Sequence, residues 1–434
     1  MLRKFIRYVS LNITGMVSIA FCIFMDTFFI ALAMGSDGLT ALNLALPIYA
    51  IVNGTGHMVG VGGGARYATL RAEGHDEQAE GVFSVAFYSG IILSGLFMLL
   101  GIFLANPIAG FLGAGGHIHP MAAIYLRTIL IMSPGLVLSN ILAGFIRNDN
   151  APRVAMTATM ILAVANIILD YVFIFPLGLG MFGAALATMT GSMLGLFYLL
   201  YYWLSGKTCL KLRSFKRPLK VFSAISVTGM PSLIGDLSAA IVMTVFNRVF
   251  LSLSGNMAVA AFGIVTNLSM IVLAIFNGVG QGMQPLVSTA YGEGNARDQK
   301  KVFRYSYLTV MGLALAIYLV AFTFTDQLTH VFNSTGDLYL QELARVGVRI
   351  YFLAFLFIGI SIVTIIYLSV TSAPRAGMVL SLLRGGFITI PIVLLLARLL
   401  GVTGVWLSYP IGEFLMMGIA LAVMKKYITF PKQA

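Results

Sequence analysis

Two aspartates, Asp26 and Asp170, stand inside long apolar stretches of this 434-residue chain. A carboxylate in hydrocarbon costs about 3 kcal/mol or more, so acids in such places are hypotheses of function by default. Asn166 lies four residues before Asp170, and Ala184 four before Thr188, so each pair shares one helical face. Measured along their helices, all five residues reach the same depth in the outer part of the chain's first half. Carboxylate, amide, hydroxyl and backbone carbonyl oxygens together suit a hard cation such as Na⁺. A proton needs only a carboxylate whose pKa burial has raised, and either aspartate could supply it. The competing explanation is ordinary hydrogen bonding between packed helices.

The second half carries different groups. Asp236 and Glu413 sit near the middle of their apolar runs, where they could attract a cationic ligand or pair with Arg384. His57, mid-way along another run, could titrate near neutral pH or simply pack. His117 and His119 lie two apart with no third ligand, which makes a metal site there improbable. Gly60, Gly62, Gly63 and Gly64 lack the Lys-Ser/Thr of a phosphate loop, so close helix packing explains them better. Cys22 and Cys209 sit in unlike contexts and imply no disulfide framework.

The elements that must position these residues are membrane helices. Residues are 59% hydrophobic and only 10% charged, against about 25% charged in a typical soluble protein. About 20 apolar residues cross a bilayer as a helix. Twelve such runs are present, at 10–34, 40–70, 81–104, 121–145, 154–176, 181–204, 224–251, 257–290, 304–324, 346–370, 376–399 and 404–424. Pro47, Pro134, Pro231, Pro285, Pro391 and Pro410 fall inside them and are expected to bend them. The first run has no cleavage site of a signal peptide and reads as retained. Of the 27 Lys and Arg, 21 fall in alternate connections, Lys216 and Lys432 among them. That alternation predicts both termini in the cytoplasm and argues against a basic tail for nucleic acid.

The chain also repeats itself. Gly60 to Gly74 returns as Gly280 to Gly294, Ala151-Pro152-Arg153 as Ala373-Pro374-Arg375, and Leu179 to Gly183 as Leu400 to Gly404. The offset spans six helices, so both halves share one orientation. Parallel repeats of this kind are a hallmark of secondary transporters. The expected division is a first six-helix lobe at 1–204, a cytoplasmic linker at 205–220 and a second lobe at 221–434. A membrane enzyme would need a nucleophile–base or metal constellation, and a channel a repeated filter motif; neither is found.

Met25-Asp26-Thr27-Phe28-Phe29 is similar to the Val-Asp-Thr signature of the multidrug and toxic compound extrusion (MATE) family. Asn166 to Thr188, with its Pro176-Leu-Gly178 turn, resembles the helix 5–6 signature of the DinF-like branch. Ala260-Ala261-Phe262-Gly263 and Gln281-Gly282-Met283-Gln284-Pro285 resemble second-half motifs. The resemblance implies an all-α membrane protein of twelve helices in two pseudo-symmetric lobes. It implies antiport of amphipathic, often cationic, organic compounds against H⁺ or Na⁺, with no cofactor and no enzymatic activity. Asp26, Asn166, Asp170, Ala184 and Thr188 then form the coupling site. Asp26, Asn166, Asp170 and Thr188 are the ligands if the ion is Na⁺. Asp236, Glu413, His57 and Gln284 are candidates for the substrate cavity. Some family members carry Tyr one turn before the first aspartate, where this chain has Cys22, which weakens any network transferred to Asp26. The expected protein is a monomer in a prokaryotic plasma membrane, with small organic molecules and lipid as its partners. A lipid-linked oligosaccharide flippase of the wider superfamily is the alternative, although those tend to have more helices or a basic cavity.

Overall fold

The computed structural model describes residues 1–214, 217–332 and 338–427. Lys216 and Lys432 lie outside the described residues. Among these residues all regular structure is helical, as lipid demands: with no water to bond the backbone, each segment must satisfy its own N–H and C=O groups. The helices are α1 Leu2–Gly35, α2 Asp37–Ala72, α3 Asp76–Phe111, and α4, a pair Ile118–Ile131 and Ser133–Asn148 bent by 48°. Then follow α5 Pro152–Ile174, α6 Gly180–Leu204, α7 Pro218–Gly255, α8 Met257–Gly292, α9 Ala296–Thr323 and α10 Leu338–Val370. The last stretch, Pro374–Tyr427, is 54 residues long. At 1.5 Å per residue that is about 80 Å, more than twice the roughly 30 Å of hydrocarbon. A break at Gly401 (φ 60°, ψ −139°) divides it into α11, 374–400, and α12, 402–427. A bent α4 and a divided last stretch give the twelve crossings expected from the sequence.

The sharp reversals between runs fall at glycines. Gly35 (φ 60°, ψ −145°) separates α1 from α2, and Gly255 (φ 67°, ψ −159°) separates α7 from α8. This region of backbone space is essentially restricted to glycine. These two lie at the repeat offset, as do Gly74 and Gly294, whose φ values are 80° and 66°. The internal repeat of the sequence is therefore a repeat of backbone turns. Among the prolines, Pro134 does coincide with a bend, that of α4.

The described residues form two compact units, one of 14–237 with 288–295 and one of 1–13, 238–287 and 296–434. Grouping by contact thus cuts across the repeat: the start of α7 packs with α2, and the start of α1 packs with α8. Glycine permits both. In the first unit the backbone of Gly62 rests on Ile225 and Gly229, and that of Gly229 on the Met58 carbonyl. In the second, Gly278 rests on Ile13 and Gly282 on Val9, with no room for a side chain. Gly62 and Gly282 are repeat equivalents. Such close helix approach is how small residues stabilise packing in lipid, where the hydrophobic effect between helices is absent.

Candidate functional site

In the first unit α1, α5 and α6 converge. Gly191 of α6 lies against the Leu162 carbonyl and the Asn166 backbone of α5, leaving a Cβ only 2.8 Å from the former. This contact brings α6 close enough for Asn166 Nδ2 to donate to Thr188 Oγ1 at 3.2 Å, and the Thr188 hydroxyl donates in turn to the Ala184 carbonyl at 3.2 Å. From α1, the Cys22 thiol donates to Asn166 Oδ1 at 2.8 Å. Asn166, Asp170 and Ala184 are fully buried. Cys22 therefore joins the network through a shorter, softer donor than the Tyr of some family members.

The two carboxyls are left differently. Asp26 and Asp170 lie close enough to interact directly, but as carboxylates they offer each other only acceptors. Asp26 Oδ1 and both oxygens of Asp170 are buried without a donor. Orphan acceptors of this kind are costly in low dielectric and are satisfied by a proton held between them or by a cation. The oxygens present fit either: the carboxylates carry charge, and Thr188 Oγ1 keeps a free lone pair. Tyr49 of α2 and Tyr125 of α4 lie within electrostatic reach of both Asp26 and Cys22, and Tyr125 also of Asp170. Sequence reading missed both tyrosines, because no spacing links them to α1, α5 or α6.

Removing the thiol donor tests how far Asn166 depends on it. A neutral buried hydrogen bond is worth about 1 kcal/mol net, so Cys22→Val should lower the stability of the protein by about that amount. Cys22→Ser, which restores a donor, should lower it less. Thermal unfolding of both variants measures this.

A second polar cluster in the same unit joins α2, α4 and α7. Asp236 Oδ2 accepts from Asn53 Nδ2 at 3.2 Å and lies 3.1 Å from His57 Nδ1. Asn53 Oδ1 accepts from Asn140 Nδ2 at 3.0 Å. Gly54 faces the Asp236 Cβ, and Gly56 faces Asn140. The Asp236 side chain remains 32% exposed and that of His57 24%. His57 is thus paired and not a solitary packing histidine. Of the other cavity candidates, Glu413 belongs to the second unit and pairs with Arg384 at 3.1 Å, while Gln284 is buried in α8 of that unit. The structure brings His57 and Asp236 together, while Glu413 and Gln284 belong to the other unit.

Comparison with known proteins adds what geometry alone does not. The MatE family profile matches residues 13–172 and 231–395, three quarters of the chain and one stretch in each half of the repeat. The chain belongs to the MATE family. It is a multi-pass membrane protein of a transporter family and not an enzyme. The multidrug export protein MepA of Staphylococcus saprophyticus is 28% identical over 418 residues, covering 96% of this MATE chain and 91% of the relative. MepA of Staphylococcus aureus is 27% identical over 402 residues, covering 92% and 87%. A MATE crystal structure in complex with MaL6 superposes with a TM-score of 0.93 at 21% identity, covering 98% and 96% of the two chains. An outward-facing multidrug resistance MATE transporter gives 0.90 at 22% identity, covering 98% and 95%. At that identity these two establish the shared fold.

Proposed function

We propose that this MATE protein is a secondary active antiporter exporting amphipathic, often cationic, organic compounds in exchange for H⁺ or Na⁺. The observation that carries this reading is the pair Asp26–Asp170, whose buried oxygens lack any donor. The multidrug export names of its bacterial relatives support the substrate side. Asp26, Asn166, Asp170, Ala184 and Thr188 form the coupling site in this reading, with both termini cytoplasmic. The functional lobes follow the repeat, 1–204 and 221–434, joined by 205–220.

The mechanism follows from charge. A proton or Na⁺ entering the site offsets one of two facing negative charges, relieves their repulsion and lets α1 close upon α5 and α6. An ion can drive a transporter only by binding one arrangement better than the other, and the arrangement with the carboxyls together is the one a cation favours. The partial exposure of Asp236 supports a role in meeting a substrate's cationic group. Buried charge is worth more here than in water because the surroundings are apolar.

The deciding experiment is transport in proteoliposomes with independently imposed Na⁺ and pH gradients. Efflux driven by one gradient, with stoichiometric counter-movement of that ion, is the expected result; efflux indifferent to both would overturn the antiport reading. For the substrate side, Asp236→Asn should lower export of a quaternary ammonium dye at least about tenfold relative to an uncharged dye of similar size, a loss of roughly one charge-assisted contact. Equal loss for both dyes would assign Asp236 to holding α2 against α7.

A further inference from the structure

The ion pair of the second unit is covered unequally. The Glu413 side chain is 3% exposed and that of Arg384 22%. Only one guanidinium nitrogen is engaged: Arg384 Nε donates to Glu413 Oε1 at 3.1 Å and to Oε2 at 3.3 Å. Nη1 and Nη2 form no hydrogen bond among the described residues, and neither is sealed inside the protein.

The helix is irregular at this side chain. At Leu383–Phe387 the helix widens into a π turn, with Gly386 at φ 138°, a conformation that favours glycine. Single π turns recur at functional sites because the extra residue re-aims its neighbours. Beside the guanidinium, Tyr351 and Tyr409 stack at 4.3 Å and 11°, both within electrostatic reach of Arg384. Their position is deep: Arg384 lies about 15 Å along α11 from Pro374 at 1.5 Å per residue, mid-way through about 30 Å of hydrocarbon. Charged donors left open at that depth are costly without an acceptor, and lipid headgroups lie at the two interfaces.

We propose that Arg384 is a binding site for a carboxylate on an aromatic substrate, received by the Nη1/Nη2 fork beside the Tyr351–Tyr409 stack. A planar guanidinium matches a planar carboxylate through two parallel hydrogen bonds. Glu413 holds Nε and fixes the plane of the fork. Because Glu413 already balances Arg384, a bound anion leaves one uncompensated negative charge, which favours substrates that bring their own cation. The ligand class is therefore the zwitterionic aromatic acid, and the exposed partner of this pair is the arginine, while the glutamate pairs with it, one of the two alternatives its sequence position offered.

This rests on the export reading only for the ligand's fate, so binding is measured without any gradient. The full-length protein in phosphatidylcholine nanodiscs is titrated with 1-naphthylacetate and with its uncharged amide, 1-naphthaleneacetamide. The two tryptophans of the chain supply the signal; Trp406 lies 6.4 Å from Tyr351. The acid should bind about tenfold tighter than the amide, as a charge-assisted bidentate contact predicts. E413Q, which removes the competing charge, should tighten acid binding by roughly threefold to tenfold. The double variant R384Q/E413Q, neutral and still able to hydrogen bond, should show no preference. Should it fail to fold, R384K decides, since it keeps the charge but loses the fork and should lose most of the preference. No preference in the wild type, preference surviving in R384Q/E413Q or R384K, or weaker acid binding in E413Q would each overturn the proposal. So would a preference that is absent in the nanodiscs and appears only in phosphate-free maltoside micelles, which would assign the fork to a lipid phosphate.

Discussion

Asp26→Asn and Asp170→Asn should each abolish gradient-driven efflux, by about a hundredfold or more, while drug binding stays within about threefold of wild type. The first expectation follows from charge: with one carboxyl replaced by an amide, no like-charge pair remains to demand a shared proton or cation. The ion then gains no advantage from either arrangement of α1, α5 and α6, and nothing is left to couple. The second follows from the hydrogen bonding, since among the described residues no direct hydrogen bond joins the Asp236 cluster to the α1–α5–α6 network. The variants are also expected to be at least as stable as wild type. An amide at 170 brings a donor to a place where three carboxylate oxygens have none, and removes a buried charge. Efflux, drug binding and thermal stability measured on the same purified protein separate the outcomes. Retained efflux in either variant would move the coupling elsewhere, with Asp236 next; a collapse in stability would make the pair structural.

The second large effect is expected at Gly229. A Cβ there would fall on the Met58 carbonyl, an obstacle of backbone and not of a side chain that could turn aside. Gly229→Ala must therefore push α7 away from α2 and strain the Asp236 contacts with Asn53 and His57 one to two turns further on. Overpacking of this kind costs about 1–3 kcal/mol. Efflux should fall at least about tenfold, because a contact that must form in one arrangement is now penalised by that amount. Gly235→Ala, on the same helix but with nothing within 4 Å of its Cβ, should transport like wild type. Equal behaviour of the two variants would show that the α2–α7 approach is not needed for the cycle.

Much of this protein is legible in its sequence because lipid makes the sequence a one-dimensional code. Apolar runs longer than a bilayer thickness must be helices, and the six-helix repeat must return the same turns. Gly35 with Gly255 and Gly74 with Gly294 bear this out in the backbone. Faces were legible too: spacing by four put Asn166 beside Asp170 and Ala184 beside Thr188, and the structure adds the bond between the two faces. The reversals between runs need positive φ, which only glycine adopts cheaply, and they fall in the gaps between the apolar runs, at Gly35, Gly255 and Gly401. What only the tertiary structure decided is which helices touch and how each is rotated. Cys22 reaches Asn166 across 144 residues and His57 reaches Asp236 across 179, and Glu413 turns out to be spoken for by Arg384. The start of α7 packs with α2 and the start of α1 with α8, against the order of the repeat. Periodicity is set within a few turns of one helix, whereas pairing between helices depends on how closely two backbones approach, which glycines such as Gly62, Gly191 and Gly229 settle only once their partners are in place.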